Sequence, residues 1–178
     1  MKDVKFGKLV LDPIGWIETP FREPAGTPIQ PSRARGALGK VRLYPGFHAG
    51  LKDIEGFERI WLIYWFHAAP AANLLVTPFL DTVERGVFAT RAPARPSPVG
   101  ISAVRLLAVS GGVLEVADVD IVDGAPLLDV KPYVPEFDCY PLSKAGWFDE
   151  TKSRRRLADE RFMNNTRSEE PRKPLDTP

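Results

Sequence analysis

The stretch ISAVRLLAVSGGVLEVADVDIV, Ile101 to Val122, places two apolar runs on either side of Ser110-Gly111-Gly112. Both runs are rich in Val, Ile and Leu. The glycine pair between them supplies the positive φ values of a tight two-residue turn, so the stretch predicts an antiparallel β-hairpin. The second run contains a change of phase: Leu114 and Val116 share one parity, Val119 and Ile121 the other. Because side chains alternate faces along a strand, one extra residue is needed to keep both pairs on the same core, which predicts a bulge near Ala117.

Outward from this hairpin the same texture continues. Short apolar segments at Lys8 to Glu18, Gly39 to Leu43, Arg59 to Phe66, Gly86 to Thr90 and Leu127 to Tyr133 are separated by Gly and Pro. With Ile101 to Val109 and Val113 to Val122 they predict an all-β domain, a closed or nearly closed barrel with few short helices. Asp53 to Phe57 reads as a single helical turn. Lys152 to Asn164 reads as a short helix, with Leu157 and Phe162 as a thin apolar stripe. From Thr166 onward the chain is polar and Pro-broken, which predicts a mobile tail. The expected organisation is therefore one barrel over residues 1–150 and an appendage over 151–178.

Composition narrows the function classes. The chain has 178 residues, 44% of them apolar, enough for one well-buried domain. A net charge of +1 excludes a protein that coats nucleic acid through bulk charge, so any basic function must come from local clusters. Cys139 is alone, and His48 and His67 make no metal-ligand spacing, which predicts a disulfide-free, metal-free chain of the cytoplasm. The N-terminal lysines at 2, 5 and 8 precede no long apolar run, so no secretory signal is expected. Ile60 to Leu80 carries no charged residue, but Pro70, Pro78, His67 and Asn73 interrupt it. It reads as a buried strand followed by a loop, and no membrane span is expected.

The chain has no GxGxxG, P-loop or GxSxG motif and no Cys/His pair, so a Rossmann-type nucleotide site and covalent hydrolysis are not expected. Ser97, between two prolines, reads as a turn residue. Three other stretches carry distinctive chemistry. In Arg91 to Gly100, Pro93, Pro96 and Pro98 stiffen the backbone that presents Arg91 and Arg95; this suits an anion or nucleotide clamp, or a stiff corner with solvated arginines. In Val122 to Pro135, Asp123-Gly124 forms a turn, and beyond it Asp129, Lys131 and Tyr133 alternate onto one face of a strand. That face offers a proton-handling trio or a plain surface ion pair. Gln30 to Arg35 is a loop bearing a proline and two arginines.

Together PIGWIETPF, GFERIWLIYWFH, GVFATRAPARPSPVGIS and DVDIVDGAPLLDVKPYVPEFD, in this order from about Ile14 to Asp138, resemble the TrmO/TsaA-like tRNA methyltransferases. These are S-adenosylmethionine-dependent enzymes on a β-barrel. The resemblance implies a cofactor site made of Pro28, Ile29, Gln30, His67, Ala68, Arg91 and the turn Val122, Asp123, Gly124 and Ala125. It implies a tRNA substrate, methylated on N6 of the threonylcarbamoyladenosine beside the anticodon, and a homodimer. Asp129, Lys131 and Tyr133 are then the candidate catalytic residues. Arg95 and the cluster Arg154, Arg155 and Arg156 are the candidate RNA contacts. A non-catalytic cofactor sensor and an RNA-binding barrel without methyl transfer are the alternatives. Better-known bacterial members have Arg, Gln, Asn and Thr where this chain has Ile29, Ala68, Ser97 and Ala125. They also carry a sizeable C-terminal domain, whereas this sequence stops soon after the barrel.

Overall fold

The structure, a computed structural model, describes residues 9–151, 153 and 155–163. Eight strands follow in order: β1 (Gly15–Glu18), β2 (Leu38–Leu43), β3 (Arg59–Trp65), β4 (Leu75–Val76), β5 (Arg85–Gly86), β6 (Val99–Ser110), β7 (Val113–Ala117) and β8 (Ala125–Pro132). Six of them close into an antiparallel barrel in the order β1-β2-β7-β6-β3-β8, and β4 pairs with β5 outside it. Among the described residues a single four-residue α-helix, Pro135–Asp138, stands among several 3-10 turns.

The hairpin of the opening stretch forms as its glycines require. Ser110 pairs with Val113, and Gly111 and Gly112 take φ values of 55° and 79°. The phase change has a different cause from the expected bulge at Ala117. The register shifts on the partner strand, between Leu106 and Ala108 of β6, and β7 ends at Ala117 because Asp118 adopts φ 67°. Asp118 is held there by two donors: the Gly36 N–H reaches one carboxylate oxygen at 3.0 Å and Arg59 the other at 3.0 Å. The strand expected over Val113 to Val122 is therefore five residues long, and Val119 and Ile121 enter the core from a non-strand segment.

Two other expected strands are shorter. β1 begins only at Gly15, after Pro13, which has no N–H to give a ladder, and residues 9–12 are exposed. Gly86 to Thr90 becomes the end of β5 and a 3-10 turn over Val87–Ala89, in which the Thr90 hydroxyl donates to the Val87 carbonyl at 2.9 Å. The helical turn expected at Asp53 to Phe57 is present as Ile54–Gly56.

Ile17, Val41, Ile60, Leu62, Val104, Leu114, Val116 and Leu127, one or two from each barrel strand, fill the interior and are fully buried. Each such side chain contributes about 1.5–3 kcal/mol over its exposed state. Ile60 to Leu80 is β3 followed by irregular chain, and no helix among the described residues is long and apolar enough to cross a membrane.

The described part of the C-terminal appendage is an extended strap and not the expected helix over Lys152 to Asn164. Leu157 bridges Pro28, the Gly26 N–H donates to the Ala158 carbonyl (2.9 Å), and the Ala158 N–H donates to the Thr27 carbonyl (2.8 Å). The strap then turns at Glu160–Phe162 and inserts Phe162 into a second apolar cluster with Val76, Val87, Ala92 and Ala94. Leu157 and Phe162 thus serve two different contacts and form no stripe. The tail expected from Thr166 lies outside the described residues.

Candidate active site

An open cleft enters one end of the barrel. The Pro24 to Gln30 loop, the end of β3, the Arg91 to Arg95 corner, the Asp120 to Ala125 segment and the strap enclose it. Pro28, Ile29, Gln30, His67, Ala68, Arg91, Val122 and Ala125 all line this one cavity, although they come from four separate stretches of sequence. Across it the Arg91 guanidinium donates to the Gln30 side-chain oxygen at 2.8 Å. The two groups together offer a donor array to an anion at the exposed mouth.

Asp123 and Gly124 do not line the cavity. The Asp123 carboxylate accepts from the Thr19 N–H at 2.8 Å and pairs with Arg22, and the Gly124 N–H donates to the Ile17 carbonyl at 2.9 Å. The turn spends its own polar groups on the fold and aims the flanking Val122 and Ala125 inward. Arg95 is likewise committed. Its guanidinium donates to the carbonyls of Ala92, Val87 and Thr90 at 2.9, 2.9 and 2.7 Å, which locks the proline-rich corner from within.

The floor carries a group that the motif reading missed. Tyr64, Gly100 and Asp120 line the inner end, and behind them the Ser102 hydroxyl donates to the Asp120 carboxylate at 2.6 Å and contacts the Tyr64 hydroxyl at 3.2 Å. Burial pushes the Asp120 carboxyl up to about 7, against the opposing pull of the Ser102 hydrogen bond. Burial also raises the Tyr64 hydroxyl, with the Asp120 charge adding to it. The final glycine of the proline-rich stretch makes this packing possible: a Cβ on Gly100 would stand 2.4 Å from the Tyr64 ring. The sequence did hold a signal for Asp120, an acid directly between Val119 and Ile121, two residues read as core.

Asp129, Lys131 and Tyr133 face away from the barrel interior. β8 shifts register against β3, so that Tyr64 pairs with Leu127 and Ile63 with Asp129. The extra residue moves the parity outward after Leu127. Asp129 pairs with Lys131 at 2.7 Å, and the Tyr133 ring lies 5.5 Å from that of Trp61. The trio is nonetheless on the wall that starts at the cleft. Ile63 pairs with Ile101 on its other side, and Ile101 and Trp65 line the cleft mouth. Two strand spacings, about 10 Å, separate Ile101 from Asp129.

In the strap, Arg155 pairs with Asp159 at 2.7 Å, and Arg156 donates to the Arg33 carbonyl. Arg33 in turn donates to the Arg155 carbonyl. Arg154 lies outside the described residues. Among the described residues no group of three or more His, Cys, Asp or Glu side chains could hold a metal ion.

The model of the tRNA-methyltransferase O N-terminal domain matches residues 16–139. The chain belongs to this family. A relative from Pyrococcus abyssi (strain GE5 / Orsay), named "Probable S-adenosyl-L-methionine-binding protein", is 51% identical over 154 residues, covering 85% of this chain and 84% of its own. The tRNA (adenine(37)-N6)-methyltransferase of Mus musculus is 36% identical over 140 residues, 74% of this chain and 32% of its own. The crystal structure of TrmO from Pseudomonas aeruginosa superposes with a TM-score of 0.67 at 36% identity, over 79% of this chain and 62% of that one. The TrmO domain here thus spans about a third of the mouse enzyme and most of the archaeal relative. Within it lie all the cleft residues except Ala158 and Phe162 of the strap.

Proposed function

We propose that the chain binds S-adenosylmethionine in the cleft and methylates N6 of threonylcarbamoyladenosine beside the anticodon of tRNA. The observation that carries this reading is the gathering of Gln30, His67, Ala68 and Arg91 from separate loops around one cavity, with Arg91 held on Gln30. The cleft has a guanidinium at the mouth for a carboxylate and apolar walls for an adenine. When bound, S-adenosylmethionine supplies an electrophilic methyl on a sulfonium. The chain's contribution is to fix that methyl by the Arg91–Gln30 clamp, to exclude water with Phe79 and Phe162, and to seat the acceptor on the wall leading from Ile101 to Asp129. On this wall Asp129, Lys131 and Tyr133 hold the parts of the tRNA that flank the acceptor amine, while the amine itself enters the cleft to meet the methyl.

Homodimer formation accords with the exposure of Phe137, Tyr140 and Leu142 on the segment after β8, apolar surface that a second copy would cover. Sedimentation of a monomer at micromolar concentration would remove that part of the proposal. The name of the archaeal relative keeps a second reading in view, a protein that binds the cofactor without transferring its methyl.

One experiment separates the two. Purified protein, S-adenosylmethionine and tRNA that carries threonylcarbamoyladenosine are incubated, and the tRNA nucleosides are examined by mass spectrometry. A mass gain of one methyl on that nucleoside, lost in Arg91→Ala, is the expected result. Cofactor binding by calorimetry with no methylated nucleoside would favour the binding-only reading. Absence of both would overturn the assignment of the cleft.

A further inference from the structure

The cleft contains one carboxylate, Asp120, to which the sequence reading assigned no role. Asp120 is half-buried at the inner end of the cavity that it lines. Among the described residues the only donors that reach it are the Ser102 hydroxyl and its own backbone N–H. Among the described residues no arginine or lysine forms an ion pair with it. Arg91 is near enough to lower its carboxyl but donates to Gln30 instead. A buried anion without a cation costs several kcal/mol, and protein interiors keep such groups chiefly where a ligand or a reaction uses them.

We propose that Asp120 is the counter-charge for the sulfonium of the bound cofactor, so that the pocket separates methyl donor from demethylated product by charge. This rests on the reading of the cleft as an S-adenosylmethionine site. The cavity holds two guanidinium groups, Arg91 at its exposed mouth and Arg95 spent on three carbonyls of the corner, and one carboxylate at its floor, Asp120. A purely anionic ligand would leave Asp120 uncompensated, and a purely cationic one would leave Arg91 so. S-adenosylmethionine carries both signs. Its ammonium sits one carbon from its carboxylate and so stays with it near Arg91 and water, while the sulfonium lies further along the chain and reaches inward. A sulfonium also has no N–H or O–H to satisfy, so it can meet a carboxylate in an apolar floor without further partners. The demethylated product is a neutral thioether and gains nothing there. The Ser102 hydroxyl, itself in contact with Tyr64 over Gly100, keeps the carboxylate aimed into the cavity.

The titratable and charged side chains facing this space are Tyr64 from β3, His67 after it, and Arg91 and Arg95 from the proline-rich corner. Since the carboxyl of Asp120 stands at about 7 in the free protein, affinity for the cation falls as the pH drops below that value and the group becomes neutral.

Calorimetric titration of wild type and Asp120→Asn with S-adenosylmethionine and with S-adenosylhomocysteine at pH 8 tests the inference. The expected result is a loss of at least 10-fold for the methyl donor in the variant and less than 3-fold for the product. Wild-type affinity for the donor should fall up to 10-fold per pH unit from pH 7 to 5, with the product nearly unaffected; this profile decides the matter even if the variant does not fold. Equal losses for both ligands, or a flat wild-type profile for the donor, would overturn it while leaving the cofactor site intact. Wild-type protein that binds neither ligand would overturn the cofactor reading first and this inference with it.

Discussion

Arg91 and Arg95 stand four positions apart on one proline-stiffened corner and do opposite work. Arg95 turns back onto three carbonyls and holds the corner together, so that Arg91 can project across the cleft to Gln30. The sequence makes both arginines conspicuous but cannot tell presenter from brace, because that depends on which carbonyls the folded corner leaves unsatisfied. Asp129 and Tyr133 were similarly visible by their spacing, while the one-residue register shift that sends them to the outer wall was not. Their proposed role in seating the acceptor predicts a specific pattern in the variants Asp129→Asn and Tyr133→Phe. Each change removes one polar function at nearly constant shape, so fold and cofactor affinity should be retained. Single-turnover methyl transfer under saturating cofactor and tRNA should slow by roughly 100-fold or more. Rates within a few-fold of wild type in both variants would confine the chemistry to the cleft.

At the scale of elements, the opening hairpin was legible because its two glycines and its phase relation are local properties. The strap was not, because its partners lie from about 70 to about 130 positions away and its apolar residues serve separate contacts. It docks through backbone bonds from Gly26, Ile29 and Ala158, and through Phe162, whose ring meets that of Phe79 edge-on at 5.0 Å. Arg161 covers the same ring and donates to the Pro78 carbonyl at 2.7 Å. These contacts lie outside the barrel core, so losing them should open the strap and the Pro24 to Gln30 loop without melting the barrel. Phe162→Ala removes a buried aromatic that, at about 3 kcal/mol, is comparable to the stability of such a docked segment. Hydrogen exchange of the Ile29 and Ala158 amides should accelerate while β3 and β6 stay protected, and cofactor affinity should drop about 10-fold. Unchanged affinity with an undocked strap would show that this wall does not belong to the site.

For the whole molecule, the polar end of the barrel where Tyr64, Ser102 and Asp120 meet should govern how stability depends on pH. The Asp120 carboxyl rises from an ordinary 3.8 to about 7 on folding, so between these values the folded state holds a proton that the unfolded chain has released. Folding stability is then highest below the lower value and is lost as the pH climbs through the upper one, at about 1.4 kcal/mol per pH unit and on the order of 4 kcal/mol in all. Glu18, Asp81 and Asp159, whose carboxyls are lowered on folding, act in the opposite sense, and their contribution is lost only as the pH falls through their depressed values in the acid range. The interval from pH 5 to 8 therefore isolates Asp120. Urea denaturation of the ligand-free protein should show stability falling across it, and Asp120→Asn, which keeps both histidines, should remove most of the slope. The variant should be the more stable protein at pH 8, as expected where a fold tolerates a buried charge for the sake of a ligand. Parallel profiles for the two proteins would mean that Asp120 is ionised in both states, and would take away the stability argument for its retention at the floor of the cleft.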